Sequence, residues 1–427
     1  MIMTETYTKH ILDNGLTVLL KEIHTAPVIS HWVWYRVGSR NEVKGKTGIS
    51  HWVEHMQFKG TKRFPSELLD REISRNGGHM NAFTYLDWTA FYETMPADKI
   101  GLAIEIEADR MSNALYDPDE VESERTVVIS EREGQENEPT FRLNEAVRRA
   151  AFPNHPYGTE IIGEMEDLRT ISRDDLYGHY CSYYVPNNAV LVMAGDFETN
   201  EMLKQIEAAY RKTAARDVPR CNVKPEGLIP AARTLEEHGP CDITTMQMVW
   251  RAPAGADPGI FPLTILDSVL SGPSSLNMFG RGSIANRTSR FYQKLVGGGL
   301  AVAIGGGYVT TIDPYIYNLS AFVVPGRDPE DIKAAVHQEL DRIIREGITE
   351  AELQKARKQA RAMFAYSCEN ITNQAYWLGY ASMFADPGWY TGYLDNLNRV
   401  TAEDVSKYAA QYFRPENCIT GIYSSEQ

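Results

Sequence analysis

The amino-acid sequence predicts an α+β protein built from two homologous domains, each a mostly antiparallel sheet packed with helices. The first observation is an internal repeat, because residues 171–195 resemble residues 400–424 at a constant offset of 229. The second is a mixture of helical patterns and short apolar segments separated by turns, which favours α+β over a doubly wound sheet. The length of 427 residues also exceeds that of one ordinary hydrophobic core.

Each copy of the repeat is typical of a capped helix followed by an X-Pro step and a strand. Ser172 and Thr401 occupy the N-cap positions of the two helices. Chance similarity between two amphipathic helices does not explain a gapless match that continues through the proline into the strand. We therefore expect an N-terminal domain over residues 1–215 and a C-terminal domain over residues 233–427, joined by an extended, proline-containing linker over residues 216–232.

The periodicity of apolar residues predicts the other elements in order. Strands are expected over residues 16–22 and 28–38 of the first half, followed by helices over residues 47–60 and about 119–136. The second half opens in the same way, with a strand over residues 243–253 and a helix over residues 261–272. No phosphate-binding glycine fingerprint opens a helix after a strand in this sequence.

Composition excludes several classes of function. The net charge of -14 and the isoelectric point near 5.3 argue against nucleic acid as the main partner, because phosphate binding needs a basic face. No apolar run is long enough for a membrane-spanning helix, so we expect no membrane insertion. The start of the sequence does not have the pattern of a signal peptide, and its five cysteines are scattered, which is typical of a reduced compartment. We expect a cytoplasmic protein, although a leader removed from the mature chain is compatible with the sequence.

The most informative segment contains H-x-x-E-H, formed by His51, Glu54 and His55. On a helix, two histidines four residues apart project from one face and can bind one metal ion. Glu54 is close enough to take a proton from water activated by the metal, but it is poorly placed to be a ligand beside both histidines. This order mirrors the commoner H-E-x-x-H and defines the inverted zincins. We therefore expect one Zn²⁺ per chain.

A third metal ligand is expected from the acidic helical segment around residues 119–136. Glu124 and Glu131 lie seven residues apart, or two helical turns, and therefore share one face of the helix. One would bind the metal and the other would orient a ligand. The spacing does not tell which, and a solvated acidic face is the alternative interpretation of the segment.

These motifs resemble the pitrilysin/insulinase family of zinc peptidases, and most of all its mitochondrial-processing-peptidase type. The resemblance extends over nearly the whole chain and includes LDNGLTVLLKE, GISHWVEHMQFKGTKRF, GGHMNAFTYLDWTAFY, ERTVVISERE, HPYGTEIIGEMEDLRTIS and YYVPNNAVLVMAGDF. It implies His51, His55 and Glu131 as zinc ligands, Glu54 as the general base and Glu124 as the residue that orients a ligand.

The resemblance also implies a substrate-docking strand around Asn81, Ala82, Phe83 and Thr84. An extended peptide would pair with this strand, so that backbone hydrogen bonds provide affinity with little demand on sequence. Without the family, the segment would be interpreted as an ordinary strand. His79 nearby is interpreted as a loop histidine and not as a metal ligand.

The second half lacks the metal-binding pattern and departs from the family at one further place. Leu263, Leu266 and Asp267 align with the H-x-x-E-H residues. Active members commonly have an Arg and a Tyr that bind the substrate, whereas this chain has Gly298 near the Arg position and Val302 at the Tyr position. We therefore expect a heterodimer in which a homologous subunit supplies the Arg/Tyr pair.

The function that the resemblance implies is a zinc metalloendopeptidase that hydrolyses peptides or unfolded segments inside a closed chamber. Two alternatives belong to other classes of function. One is a non-catalytic structural subunit comparable to the core proteins of respiratory complexes, and the other is a peptide-binding module that does not cleave.

Overall fold

The computed structural model describes residues 7–273, 276 and 286–425 of the chain. The described residues form two compact units, and each consists of one sheet covered by helices. The first unit comprises Met1–Glu133, Thr159–Val223 and Asn370–Thr391, and the second comprises Gly134–Gly158, Lys224–Glu369 and Gly392–Gln427. The predicted α+β class is confirmed.

The bounds of the elements follow the chain. The strands of the first half are β1 Thr8–Ile11, β2 Thr17–Glu22, β3 Val28–Tyr35, β4 His79–Thr84, β5 Thr89–Pro96 and β6 Ala189–Gly195. Its helices are α1 Ile49–Met56, α2 Ser66–Arg75, α3 Ile100–Asn113, α4 Pro118–Glu136, α5 Phe141–Ala151, α6 Met165–Thr170, α7 Arg173–Tyr183 and α8 Thr199–Tyr210. The strands of the second half are β7 Arg233–His238, β8 Thr245–Arg251, β9 Ala301–Tyr308, β10 Ile316–Val323 and β11 Ile419–Ser424. Its helices are α9 Ile260–Leu270, α10 Pro329–Glu346, α11 Glu350–Ser367, α12 Ile371–Phe384, α13 Gly388–Thr391, α14 Tyr393–Arg399 and α15 Ala402–Tyr412.

The sheet of the first unit has the strand order β1-β2-β6-β3-β5-β4. All neighbouring strands are antiparallel except β2 and β6, which are parallel. The segment around Asn81 that was expected to be a strand is β4, and it forms a hairpin with β5, closed by a hydrogen bond from Tyr85 N–H to Trp88 O (2.8 Å). Strand β4 therefore lies at the edge of the sheet, with one side unpaired by the strands described.

Both faces of this sheet are apolar, and different helices cover them. On one face, Trp52 and Val53 of α1 belong to the same buried cluster as Val33 and Phe91. The opposite face carries aromatic residues of β3 and is covered by α12 from the second half of the chain. There Trp34 and Tyr376 have their ring centroids 5.4 Å apart.

Helix α12 approaches the sheet closely at Gly379. A Cβ atom at this position would lie 2.0 Å from Trp34 Nε1, so only glycine fits without movement of the indole. The absence of a side chain at Gly379 therefore sets how closely α12 packs on β3.

The sheet of the second unit has the order β7-β11-β8-β10-β9, with β7 and β11 parallel and the other pairs antiparallel. Helix α5, from the first half of the chain, packs against β11 and β7. A Cβ atom at Gly421 would lie 2.6 Å from Val147 Cγ2, so glycine again permits the close approach of a helix.

The internal repeat has the structure that the sequence predicts. Helices α7 and α15 have bounds separated by 229 residues, and each begins with a reciprocal capping box, Ser172 with Asp175 and Thr401 with Asp404. A short 3-10 helix and a buried strand follow in both copies.

The division in space differs from the division of the repeat along the chain. Helix α5 belongs to the unit formed mainly by the second half, and α12 belongs to the unit formed mainly by the first half, so the units do not coincide with residues 1–215 and 233–427. The physical reason is that each sheet has a second apolar face that needs a cover. One of the points at which the chain passes from one unit to the other, between Val223 and Lys224, falls inside the segment expected as the linker, 216–232. No helix among the described residues has both the length and the apolar character needed to cross a bilayer.

Candidate metal centre

Helix α1 is held at its N-terminus by a distant carboxylate. It follows Gly48, whose φ of 84° and close approach to Ile162 O (2.3 Å from a hypothetical Cβ) require glycine. Gly48 offers no side chain to cap the helix. Instead, the Glu42 carboxylate accepts hydrogen bonds from Gly48 N–H (2.8 Å) and Ser50 N–H (2.9 Å). The loop before α1 therefore fixes where the helix begins.

The H-x-x-E-H histidines and one glutamate of α4 converge. His51 Nε2 lies 3.8 Å and His55 Nε2 3.6 Å from Glu131 Oε2. Ligand atoms of the three residues all lie within 4.8 Å of one another. His51 and His55 are mostly buried, whereas the Glu131 side chain is 39% exposed. The cluster is thus open to solvent on the side of Glu131.

This donor set fits a zinc ion. Two imidazoles and one carboxylate are a common ligand set of catalytic zinc, with bonds of about 2.0–2.2 Å. In a tetrahedral site of that size the ligand atoms lie about 3.3–3.5 Å apart. The separations of 3.6 and 3.8 Å between the histidine nitrogens and Glu131 Oε2 need only a small contraction to reach that value.

Glu124 binds the other nitrogen of His55. Its Oε1 lies 2.7 Å from His55 Nδ1, and its Oε2 lies 2.5 Å from Lys59 Nζ. The hydrogen bond to His55, together with Lys59, lowers the pKa of Glu124 to about 2. A carboxylate on Nδ1 fixes the tautomer in which Nε2 is free to bind a metal. Of the two glutamates that the spacing left open, Glu131 faces both Nε2 atoms, whereas Glu124 faces Nδ1 of His55.

The two histidines have different electrostatic environments. Burial, followed by the neighbouring His55, lowers the pKa of His51 to about 3. Burial acts in the same direction on His55, but the hydrogen bond to Glu124 and the surrounding carboxylates outweigh it and raise its pKa. His51 is therefore neutral at physiological pH, which is the form that binds metals.

Glu54 points toward strand β4. It is buried, and its Oε2 accepts a hydrogen bond from the Thr84 hydroxyl at 2.8 Å. Burial raises the pKa of Glu54 above its usual value, and the hydrogen bond from Thr84 acts against that rise. A carboxylate with a raised pKa is suited to accept and return a proton near neutral pH.

The predicted docking residues Asn81, Ala82, Phe83 and Thr84 all lie on β4. The Ala82 N–H donates to the side-chain oxygen of its neighbour Asn81 at 2.9 Å, and Phe83 stacks on an aromatic ring of β5. The expectation of a loop at His79 is wrong, because pairing with β5 makes His79 the first residue of β4.

The corresponding positions of the second unit have no metal-binding character. Leu263 and Leu266 are buried on α9, and Asp267 accepts a hydrogen bond from the Tyr317 hydroxyl at 2.9 Å. Of the described residues that group into metal-capable clusters, none belongs to this unit. Val302 lies on the edge strand β9 and is 52% exposed, and Gly298 lies in the turn before it.

Sequence reasoning missed three contributors to the site. Lys59 could have been found, because it lies four residues after His55 and thus on the same helical face. Glu42 gave no signal, since its contacts depend on how the preceding loop folds. The hydroxyl of Thr84 was also missed, because the strand was interpreted for its backbone. A second metal-capable cluster, Glu22 with His24 and Glu198, is fully on the surface.

Comparisons with known proteins agree with these observations. The family described as insulinase, peptidase family M16, matches residues 17–165, and the domain described as peptidase M16 inactive domain matches residues 170–360. An uncharacterized zinc protease of Mycobacterium leprae is 27% identical over 97% of this chain and 92% of its own length. The mitochondrial-processing peptidase subunit beta of Blastocladiella emersonii is 32% identical over 47% of this chain and 43% of its own length. The crystal structure of a protease from Helicobacter pylori has a TM-score of 0.90 at 25% identity, covering 98% of this chain and 99% of that one.

Proposed function

The chain belongs to the insulinase family of peptidases, family M16, and from this premise we propose that it is a zinc-dependent endopeptidase. The observation that carries the proposal is the convergence of His51, His55 and Glu131 on one point beside the buried carboxylate of Glu54. A structural subunit or a peptide-binding module would need neither this set of ligands nor a general base. The names of the relatives, which include zinc proteases, support the same conclusion.

Each residue of the site would have a separate role. His51, His55 and Glu131 would hold one Zn²⁺, and Glu124 would keep His55 in the correct tautomer. The bound ion would polarise the scissile carbonyl and activate a water molecule. Glu54 would accept the proton of that water and later deliver it to the leaving amine.

The substrate would be an extended peptide or an unfolded segment. Strand β4 is at the edge of its sheet, and the Ala82 N–H faces away from β5. Within the part of the chain that the structure describes, this N–H donates to the Asn81 side chain. A peptide that pairs with β4 would displace Asn81 from this N–H and replace the hydrogen bond. Pairing through the backbone gives affinity for many sequences and excludes folded proteins.

We propose further that the chain is the zinc-bearing subunit of a heterodimer, in which two similar chains enclose the substrate. Gly298 and Val302 stand where related active chains carry substrate-binding Arg and Tyr. Glycine and valine side chains donate no hydrogen bonds, so a homologous partner with the pair would have to supply them. One relative is itself named as a subunit of a processing peptidase, which supports this part of the proposal.

The test is hydrolysis of a quenched-fluorescent peptide library by the chain alone and mixed with a homologous chain that bears the Arg/Tyr pair. Each is assayed as wild type, as Glu54→Gln and as Glu133→Gln, a control that removes the same charge from an exposed position of α4. Bound metal is measured in every sample. We expect cleavage by the wild type and the control, loss of cleavage by more than about 1,000-fold in Glu54→Gln, and inhibition by a chelator that added zinc reverses.

The outcomes separate the proposals. Cleavage that occurs only in the mixture supports both the zinc peptidase and the heterodimer. Full cleavage by the chain without a partner refutes the need for a partner. Zinc-loaded protein that cleaves nothing in either sample refutes the peptidase and favours a non-catalytic subunit.

A further inference from the structure

Thr84 lies where the docking edge of β4 meets the buried carboxylate of Glu54. In an antiparallel pair, alternate residues turn their N–H and C=O groups away from the partner strand. The closing bond from Tyr85 to Trp88 places the odd-numbered residues of β4 on the paired side, so Ala82 and Thr84 face the free edge. The Thr84 hydroxyl donates to Glu54 Oε2 at 2.8 Å.

The side chain of Thr84 is held in this orientation by its cross-strand neighbour. Thr84 and Thr89 are directly opposite each other in the register, and their hydroxyl oxygens are 3.4 Å apart. The Thr89 hydroxyl donates its proton to Val37 O at 2.9 Å. The Thr89 oxygen therefore faces Thr84 without donating to it. Thr89 is fully buried and cannot move aside. The hydroxyl of Thr84 is thus directed at Glu54 and away from the path of a docked peptide.

We propose that Thr84 is a positioning residue that orients the Glu54 carboxylate and links it to the docking edge of β4. The backbone of Thr84 is part of the edge with which a peptide would pair. Its hydroxyl orients the Glu54 carboxylate, which would act on that peptide. A small displacement of β4 is transmitted to Glu54 through the hydrogen bond from the Thr84 hydroxyl. The inference rests on the proposed function, in which Glu54 is the general base.

The test compares Thr84→Val, which keeps the shape and loses the hydroxyl, with Thr84→Ser, which keeps the hydroxyl. Thr94→Val is the matched control, since Thr94 lies in the same hairpin and donates to Ser30 instead of Glu54. Zinc content and melting temperature establish that each variant is folded and loaded. The kinetic constants kcat and KM are measured with a fluorogenic peptide, and peptide affinity is measured separately in the non-cleaving Glu54→Gln background. Crystal structures of the three variants, each compared with the wild type, report the position of the Glu54 carboxylate.

We expect Thr84→Val to lower kcat by about 10- to 100-fold, the usual effect of removing a residue that orients a catalytic group, with KM and peptide affinity within twofold. Thr84→Ser and Thr94→Val should stay within about threefold of the wild type. A Thr84→Val enzyme with wild-type kcat, or one whose loss lies in peptide affinity, overturns the proposal. If the wild type itself cleaves no peptide, the proposed function fails, but the crystal structures still test whether Thr84 orients Glu54. In that case, an unmoved Glu54 carboxylate in Thr84→Val overturns the positioning role of Thr84, and a displaced carboxylate supports it.

Discussion

Replacing Glu124 with glutamine should weaken zinc binding without unfolding the protein. The Glu124 carboxylate lies 2.7 Å from His55 Nδ1 and is only 8% exposed, so solvent screens this contact little. Removing a carboxylate that holds a metal-binding histidine lowers metal affinity by about 10- to 100-fold. Because glutamine keeps an oxygen for the hydrogen bond, we expect the lower end of this range, a loss of zinc affinity of about tenfold, or about 1.4 kcal/mol.

The zinc dissociation constant is measured by competition with a chromogenic chelator, for the wild type, Glu124→Gln and the exposed control Glu133→Gln. Glutamine keeps an oxygen that can accept from His55 Nδ1, so the variant isolates the charge and leaves the hydrogen bond in place. Melting temperatures of the zinc-free proteins are recorded in parallel. We expect an affinity loss in Glu124→Gln alone.

Two results would refute this reasoning. If Glu124→Gln binds zinc within twofold of the wild type, the charge of Glu124 does not act through His55. If Glu133→Gln loses as much affinity, the effect belongs to the overall acidity of α4 and not to the contact with His55.

Two further predictions concern the stability of the first unit. Gly379→Ala should lower the free energy of unfolding by about 1–3 kcal/mol, because the new methyl group meets the Trp34 indole; an unchanged melting temperature in calorimetry would contradict it. Burial lowers the pKa of His179 to about 3, so the stability that its neutral form provides is complete above about pH 6.5 and is lost as the pH falls toward the folded-state value. Below about pH 6.5, the free energy of unfolding of the zinc-free chain, measured in urea, should therefore fall by about 1.4 kcal/mol per pH unit because of this group. His179→Asn should remove that part of the pH dependence. Equal pH dependences in the wild type and the variant would contradict the prediction.

Local patterns were sufficient to predict the helices that carry the site. The segment expected to be helical from about residue 119 to 136 is α4, Pro118–Glu136, and the H-x-x-E-H residues lie on α1 as the four-residue spacing requires. Helical periodicity is a property of neighbouring residues, so it can be read without knowledge of the tertiary structure. The same holds for the capping boxes of the repeat.

Contacts between distant segments could not be predicted. Nothing near Glu42 indicates that it caps a helix that begins seven residues later, because the carboxylate reaches Gly48 and Ser50 only after the loop has folded back. The sequence of α12 likewise does not indicate which sheet the helix covers. The hydrogen bond from Thr84 to Glu54 depends on the register of β4, which the turn after it determines.

The placement of α12 has a consequence for the synthesis of the protein. The ribosome finishes the last strand of the first sheet well before it makes Asn370–Thr391, the segment that completes the first unit. At about 5–20 residues per second, the interval after Val223 is roughly 10–30 s. During this time Trp32 and Trp34 have no helix over them, and an exposed aromatic surface of this kind promotes aggregation. The first half made alone is therefore expected to be poorly soluble.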